Sequence, residues 1–222
     1  MASDIENTEQ FSFSMHPVSN IQHESFFPAL HSMINASFDV ASYIPPSWEP
    51  GPEPKTYKRL DTDPSKGALI LAEELGEFGF VAVAFVGSNT GMDKMPVAAM
   101  GVFPFTGMPR QKITKPGAEW EVTCVAVAPE WRGRGLVMKL VTEIAQHLLR
   151  EGYLDNQRIR ILAMTIEELN GAYWRKIGWQ TLEKDGWINI PKSVVINRVP
   201  GSYVPISDPV LVWYGERWFG GE

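Results

Sequence analysis

The chain has 222 residues, 44% hydrophobic and 21% charged, with a formal net charge of −6. That size and balance suit one globular domain, or at most two small ones, and the acidic balance argues against a nucleic-acid binder, which would present a basic face. A single cysteine, Cys124, excludes an internal disulfide, no apolar run is long enough for a transmembrane helix, and the acidic start MASDIENTEQ is unlike a signal peptide, so a cytoplasmic protein with no membrane partner is expected.

In chain order, residues 1–9 are polar and expected to fray. Phe11-Ser12-Phe13-Ser14-Met15 alternates apolar and polar and predicts a strand that stops before Pro17. A helix is predicted from Ser25 to Phe38, with Phe27, Leu30, Met33, Ile34 and Phe38 on one face and Pro28 in its first turn. The proline-rich stretch from Ser42 to Tyr57 forbids a helix or central strand, and reads as an ordered loop with Tyr43, Trp48 and Tyr57, either a ligand lid or a packed surface loop. Asp63-Pro64 opens a second helix with Leu69, Leu71, Ala72 and Leu75 on its apolar side, and a strand through ALILA is the competing reading. Strands follow at Phe80 to Val86 and Val97 to Phe103, joined by the turn-rich GSNTGMDKM.

Glu121 to Val127 reads as a central strand stopped by Pro129. Leu136, Leu140, Ile144 and Leu148 then mark one face of a helix. Between them lies Arg132-Gly133-Arg134-Gly135. A helix start offers unpaired N–H groups and a partial positive charge, glycines allow close approach, and arginines add charge-assisted hydrogen bonds. The turn therefore reads as a phosphate or pyrophosphate cradle. It is not a Walker loop, because no Gly-Lys-Ser/Thr follows, and it lacks the third glycine of a dinucleotide fingerprint. Further on, Arg158 to Met164 predicts a fifth strand and Ile166 to Ile177 a helix closed by Gly178, with two more strands around Trp179 to Ile188 and Val210 to Trp218.

The segment VAVAPEWRGRG resembles the acetyl-CoA motif of the GNAT superfamily of N-acetyltransferases, in which Gln/Arg-x-x-Gly-x-Gly/Ala follows a V-x-V-x-P strand end. Arg132 and Gly135 match it, and Val137 stands where Gly or Ala is usual. The element order is also that of the GNAT fold: α/β, a mixed central sheet of about seven strands with about four helices, within one domain spanning residues 1–222. The resemblance implies acetyl-CoA as co-substrate. Arg132, Gly133, Arg134, Gly135, Leu136 and Val137 would hold its pyrophosphate, and the backbone N–H groups of Val125 and Val127 its thioester and pantetheine arm. The second family motif falls on Ile166 to Trp179, and implicates Asn170 and Trp174 beside the cofactor. Its usual tyrosine acid is replaced by Trp174 and its usual asparagine by Glu167, so the adjacent Tyr173 serves as acid only if the helix register is shifted.

For the base, Glu121 is the first candidate. Along an alternating strand Glu119, Glu121, Thr123, Val125 and Val127 share one face with Cys124 on the other, and burial raises a carboxyl toward a working base. Glu119 is the alternative, and a structural ion pair at Glu121 the competing explanation. His16, His23, His31 and His147 lack metal spacing, so no metal is expected. The resulting expectation is an N-acetyltransferase, monomer or homodimer, moving acetyl to a small-molecule primary amine in a ternary complex. The aromatic residues Trp48, Tyr57, Tyr203, Trp213 and Tyr214 suggest an acceptor with an apolar part. The rivals are a non-catalytic CoA-binding module and a protein or peptide N-acetyltransferase.

Overall fold

A computed structural model describes residues 10–38, 59–87, 94–107, 110–184, 186–191 and 209–221. The Phe-Ser alternation becomes β1 (Phe11–Pro17), antiparallel to β2 (Phe80–Val86). The strand continues through Pro17 because it lies at the end of the sheet, where a missing N–H costs no ladder bond. Antiparallel pairing continues through β3 (Met95–Pro104) to β4 (Glu119–Val127), which then pairs in parallel with β5 (Arg158–Ile166). β8 (Val210–Gly220) lies beyond β5, and carries both β6 (Gln180–Thr181) and β7 (Trp187–Ile190) on its far edge. Among the described residues this is an eight-stranded mixed sheet, where about seven strands were expected because Trp179 to Ile188 reads as one strand and folds as two.

Helices cover both faces. α3 (Leu136–Arg150) buries Leu136, Leu140, Ile144 and Leu148, the predicted stripe, against Val102, Trp120 and Ile161 on one face of the sheet. On the other face, α1 (Phe27–Ser37) and α2 (Pro64–Leu75) bury Leu30, Ile34, Leu71 and Leu75 against Val81, Val83 and Phe103. α2 forms as a helix rather than a strand because the Asp63 side chain accepts from the Ser65 N–H at 2.9 Å and Pro64 starts the first turn. Its buried face is Ala68, Leu71 and Leu75, and the expected Leu69 is 64% exposed. The Ser42 to Tyr57 segment, with Trp48 and Tyr57, and also Tyr203, lies outside the described residues. No described helix is long and apolar enough to cross a membrane.

One expectation about β4 is corrected. Trp120 and Val122 pack on the α3 side, yet Cys124 and Ala126 pack on the α1–α2 side, with Val125 and Val127 now toward α3. The exchange comes from Cys124, whose φ of 49° is left-handed, and the β3–β4 register slips between Ala99 and Gly101. This β-bulge adds one residue and flips every side chain after it. Glu121 and Thr123 therefore share a face with Cys124, not with Val125 and Val127.

Candidate active site

β4 and β5 pair only from Glu119↔Arg160 to Val122↔Ala163. Beyond that point β4 continues to Val127 along β3, while β5 continues to Ile166 along β8. The two strands part, and the bulge at Cys124 lies where they separate. Val125 and Val127, half-buried on the α3 side, stand on the edge of β4 that has lost its β5 partner. Such an edge presents N–H groups to whatever enters the opening.

Glu121 sits one residue before the last paired position and is 7% exposed. The Tyr214 hydroxyl donates to its Oε2 at 3.0 Å. Tyr214 is itself 1% exposed, with the Phe105 ring 6.1 Å away. Burial, reinforced by the nearby Glu121 charge, pushes the Tyr214 phenol far above its ordinary value, so it stays a neutral donor. Glu119, the alternative base, is engaged by Arg160 Nη1 at 2.7 Å with 43% of its side chain exposed, and Arg160 also bonds Glu216. Under the same face Arg59 pairs with Glu74 at 2.5 Å, and Thr123 Oγ1 donates to Glu74 Oε1 at 2.8 Å. Burial pushes the neighbouring Cys124 thiol up to about 11, with Arg59 and Glu74 as smaller, opposing influences, which keeps it protonated and unreactive.

At the far end of β4, Gly133 and Gly135 have φ of 79° and 72°, which favours glycine, and nothing lies within 4 Å of where either Cβ would be. The turn therefore shows an open backbone face at the start of α3, with the Arg134 guanidinium stacked on Trp131 at 4.4 Å. The helix begins with Lys139 N–H on Gly135 C=O, leaving the first-turn amides of Leu136 and Val137 without intrahelical acceptors. Val137, off-pattern by sequence, turns its side chain into the core at 7% exposure and leaves only its backbone for a ligand. Arg132 donates to Val127 C=O at 3.3 Å and Ser37 C=O at 3.2 Å, tying the turn to β4 and α1. An open, positively charged backbone cradle of this kind fits a diphosphate, and the parted strand edge fits an extended amide-bearing arm.

The expected helix from Ile166 to Ile177 is broken into a π-turn (Glu167–Gly171) and the short α4 (Ala172–Lys176). Glu167, at the family's asparagine position, folds over Gly171, where a Cβ would lie 1.6 Å from its Oε2, and clasps Arg175 at 2.8 and 2.6 Å. The extra residue of a π-turn shifts register by one. Trp174 turns inward at 4% exposure, edge-on to Trp179 at 4.8 Å, leaving little of its ring for a cofactor. Tyr173 is 40% exposed, and its partial burial raises its phenol above the ordinary value. Asn170 is exposed in the π-turn. Trp213 lies on the α3 side of the sheet, with Nε1 donating to Thr181 at 2.9 Å, and so does not share a face with Tyr214 and Glu121. The sequence reading did not pair Tyr214 with Glu121, or Arg59 with Glu74. Only the order of strands and the packing of α2 bring these residues together. Among the described residues, no three His, Cys, Asp or Glu side chains are placed to hold a metal ion.

The model of the acetyltransferase (GNAT) family matches residues 27–163. No curated protein matches the sequence. Among solved structures, the ribosomal-protein-alanine N-acetyltransferase of Brucella melitensis superposes with a TM-score of 0.53 at 14% identity, covering 94% of this chain and 99% of that one. An acetyltransferase of the GNAT family from Streptococcus pneumoniae gives 0.51 at 10% identity, with 95% and 100% covered. Arabidopsis thaliana NAA60 in complex with acetyl-CoA gives 0.51 at 9% identity, with 96% and 100% covered. At such identities the structural likeness is one of fold. The family match spans more than half of the sequence, and the chain belongs to the GNAT family as an acetyl-CoA-dependent acetyltransferase.

Proposed function

We propose that this enzyme acetylates a primary amine on a small molecule, with both substrates bound together and Glu121 as the base. The observation that carries the reading is a buried carboxylate, Glu121 at 7% exposure, beside the point where β4 and β5 part. A carboxylate in that setting accepts the proton that the acceptor's ammonium must lose before its nitrogen can attack. Acetyl-CoA supplies an activated thioester, and the protein supplies position and electrostatics. In this reading Val125 and Val127 N–H groups stabilise the carbonyl oxygen and align the arm. Arg132, Gly133, Arg134, Gly135, Leu136 and Val137 hold the diphosphate. Asn170 and the edge of Trp174 border the cofactor, and the neutral Tyr173 phenol protonates the departing sulfur. The near-complete burial of Glu121 and Tyr214 favours a slender amine over a bulky polypeptide segment. One domain acting in the cytoplasm, as monomer or homodimer, completes the proposal.

The test is thiol release from acetyl-CoA across arylalkylamines, amino acids, polyamines, aminoglycosides and a basic peptide. Turnover confined to one class of small amine is the expected result. Turnover of the peptide alone would assign the enzyme to protein acceptors. Acetyl-CoA binding with no release on any amine would leave a binding module.

A further inference from the structure

Glu121 and Tyr214 are 93 residues apart in sequence and meet only because β5 lies between their strands. Glu121 pairs with Leu162 and Tyr214 with Met164, so the phenol reaches across β5 to the Glu121 carboxylate. We propose that Tyr214 is the positioning residue of this active site. Its hydroxyl, donating at 3.0 Å to Oε2, fixes the orientation of Glu121 at the β4–β5 opening and holds it in the charged, proton-accepting form. The inference rests on Glu121 being the base.

A buried carboxylate with no donor would tend to take up a proton and stop acting as a base. A buried phenol supplies a donor without adding a positive charge that would repel an incoming ammonium. The Phe105 ring, 6.1 Å away, limits the tilt of Tyr214. Burial also keeps the phenol neutral, so it remains a hydrogen-bond donor. The charges around the pair come from several elements: Glu119 of β4, Arg160 of β5, Glu216 of β8, Arg110 from the loop before β4, and the Arg59–Glu74 pair at α2. All of them persist when only the hydroxyl is removed, so a shift in Tyr214→Phe reports that hydroxyl.

The experiment is a carbon NMR titration of glutamate-labelled protein, with the Glu121 carboxyl signal assigned by its loss in Glu121→Gln. A hydrogen bond to a charged group predicts that Tyr214→Phe raises the Glu121 midpoint by about one pH unit or more. A fluorinated tyrosine at position 214, a stronger donor of nearly the same shape, must lower it, which guards against a packing defect in the phenylalanine variant. An unchanged midpoint in both would overturn the proposal. If the midpoint moves as expected but Glu121→Gln turns over amines like the wild type, the hydrogen bond stands and the base reading falls, taking the positioning role with it.

Discussion

The two halves of β4 share one backbone and differ in what they pair with. From Glu119 to Val122 the strand is paired on both sides, by β3 and β5. From Thr123 to Val127 it keeps β3 and leaves β5. The first half behaves as sheet interior, with Trp120 and Val122 at 1% and 2% exposure. The second gives up one ladder of backbone bonds to open an edge, and the left-handed Cys124 marks the change. Lost ladder bonds and a left-handed residue are both unfavourable alone, and surrounding packing must offset them. In the proposed mechanism the half of β4 that has lost β5 receives the cofactor, and the candidate base lies at the boundary.

The largest effect is expected from substitution at that boundary. Glu121→Gln keeps the shape and removes the proton acceptor, so acetyl transfer should fall by about 10²- to 10⁴-fold while acetyl-CoA still raises the melting temperature. Wild-type rates in this variant would separate the opening from the chemistry. Next, Arg59→Met strips the guanidinium from Glu74 beneath the bulge, where both side chains are under a tenth exposed. Leaving that carboxylate buried should cost about 3–5 kcal/mol in urea unfolding.

Cys124 gives a pH handle on the bulge. Its thiol is raised from 9.0 to about 11 in the folded chain, so above pH 9 the unfolded state sheds a proton that the native state keeps. Stability should therefore fall as pH rises from 9 to 11, by an amount on the order of 1–3 kcal/mol, and Cys124→Ala should lose that component. The smallest effect is expected at the cradle. Gly135→Ala meets no neighbouring atom and suffers only its left-handed φ, about 1–2 kcal/mol, read as a lower melting temperature and weaker acetyl-CoA binding.

Local signals in the sequence were legible. The Leu136 to Leu148 spacing, the Asp63-Pro64 cap and the glycine-arginine turn before α3 each depend on a few adjacent residues, and each forms where its pattern lies. The bulge was not legible, because Cys124 between Thr123 and Val125 reads as ordinary strand and nothing local announces a positive φ. The π-turn was equally hidden. It depends on Glu167 folding over Gly171 and gripping Arg175, an arrangement that helical spacing does not encode. Of the candidate site, Glu121 and the anion cradle were visible as residue types in a pattern. The Tyr214 partner was not, since it needed the β5–β8 register.

The central claim is that acetyl-CoA enters the parted half of β4. Amide hydrogen exchange read residue by residue, with and without acetyl-CoA, tests it most directly. The account predicts new protection at Val125, Val127 and the amides from Gly133 to Val137, with Glu119 to Val122 unchanged. Protection at the Gly133–Val137 turn with none at Val125 and Val127, or no protection at either, would contradict it.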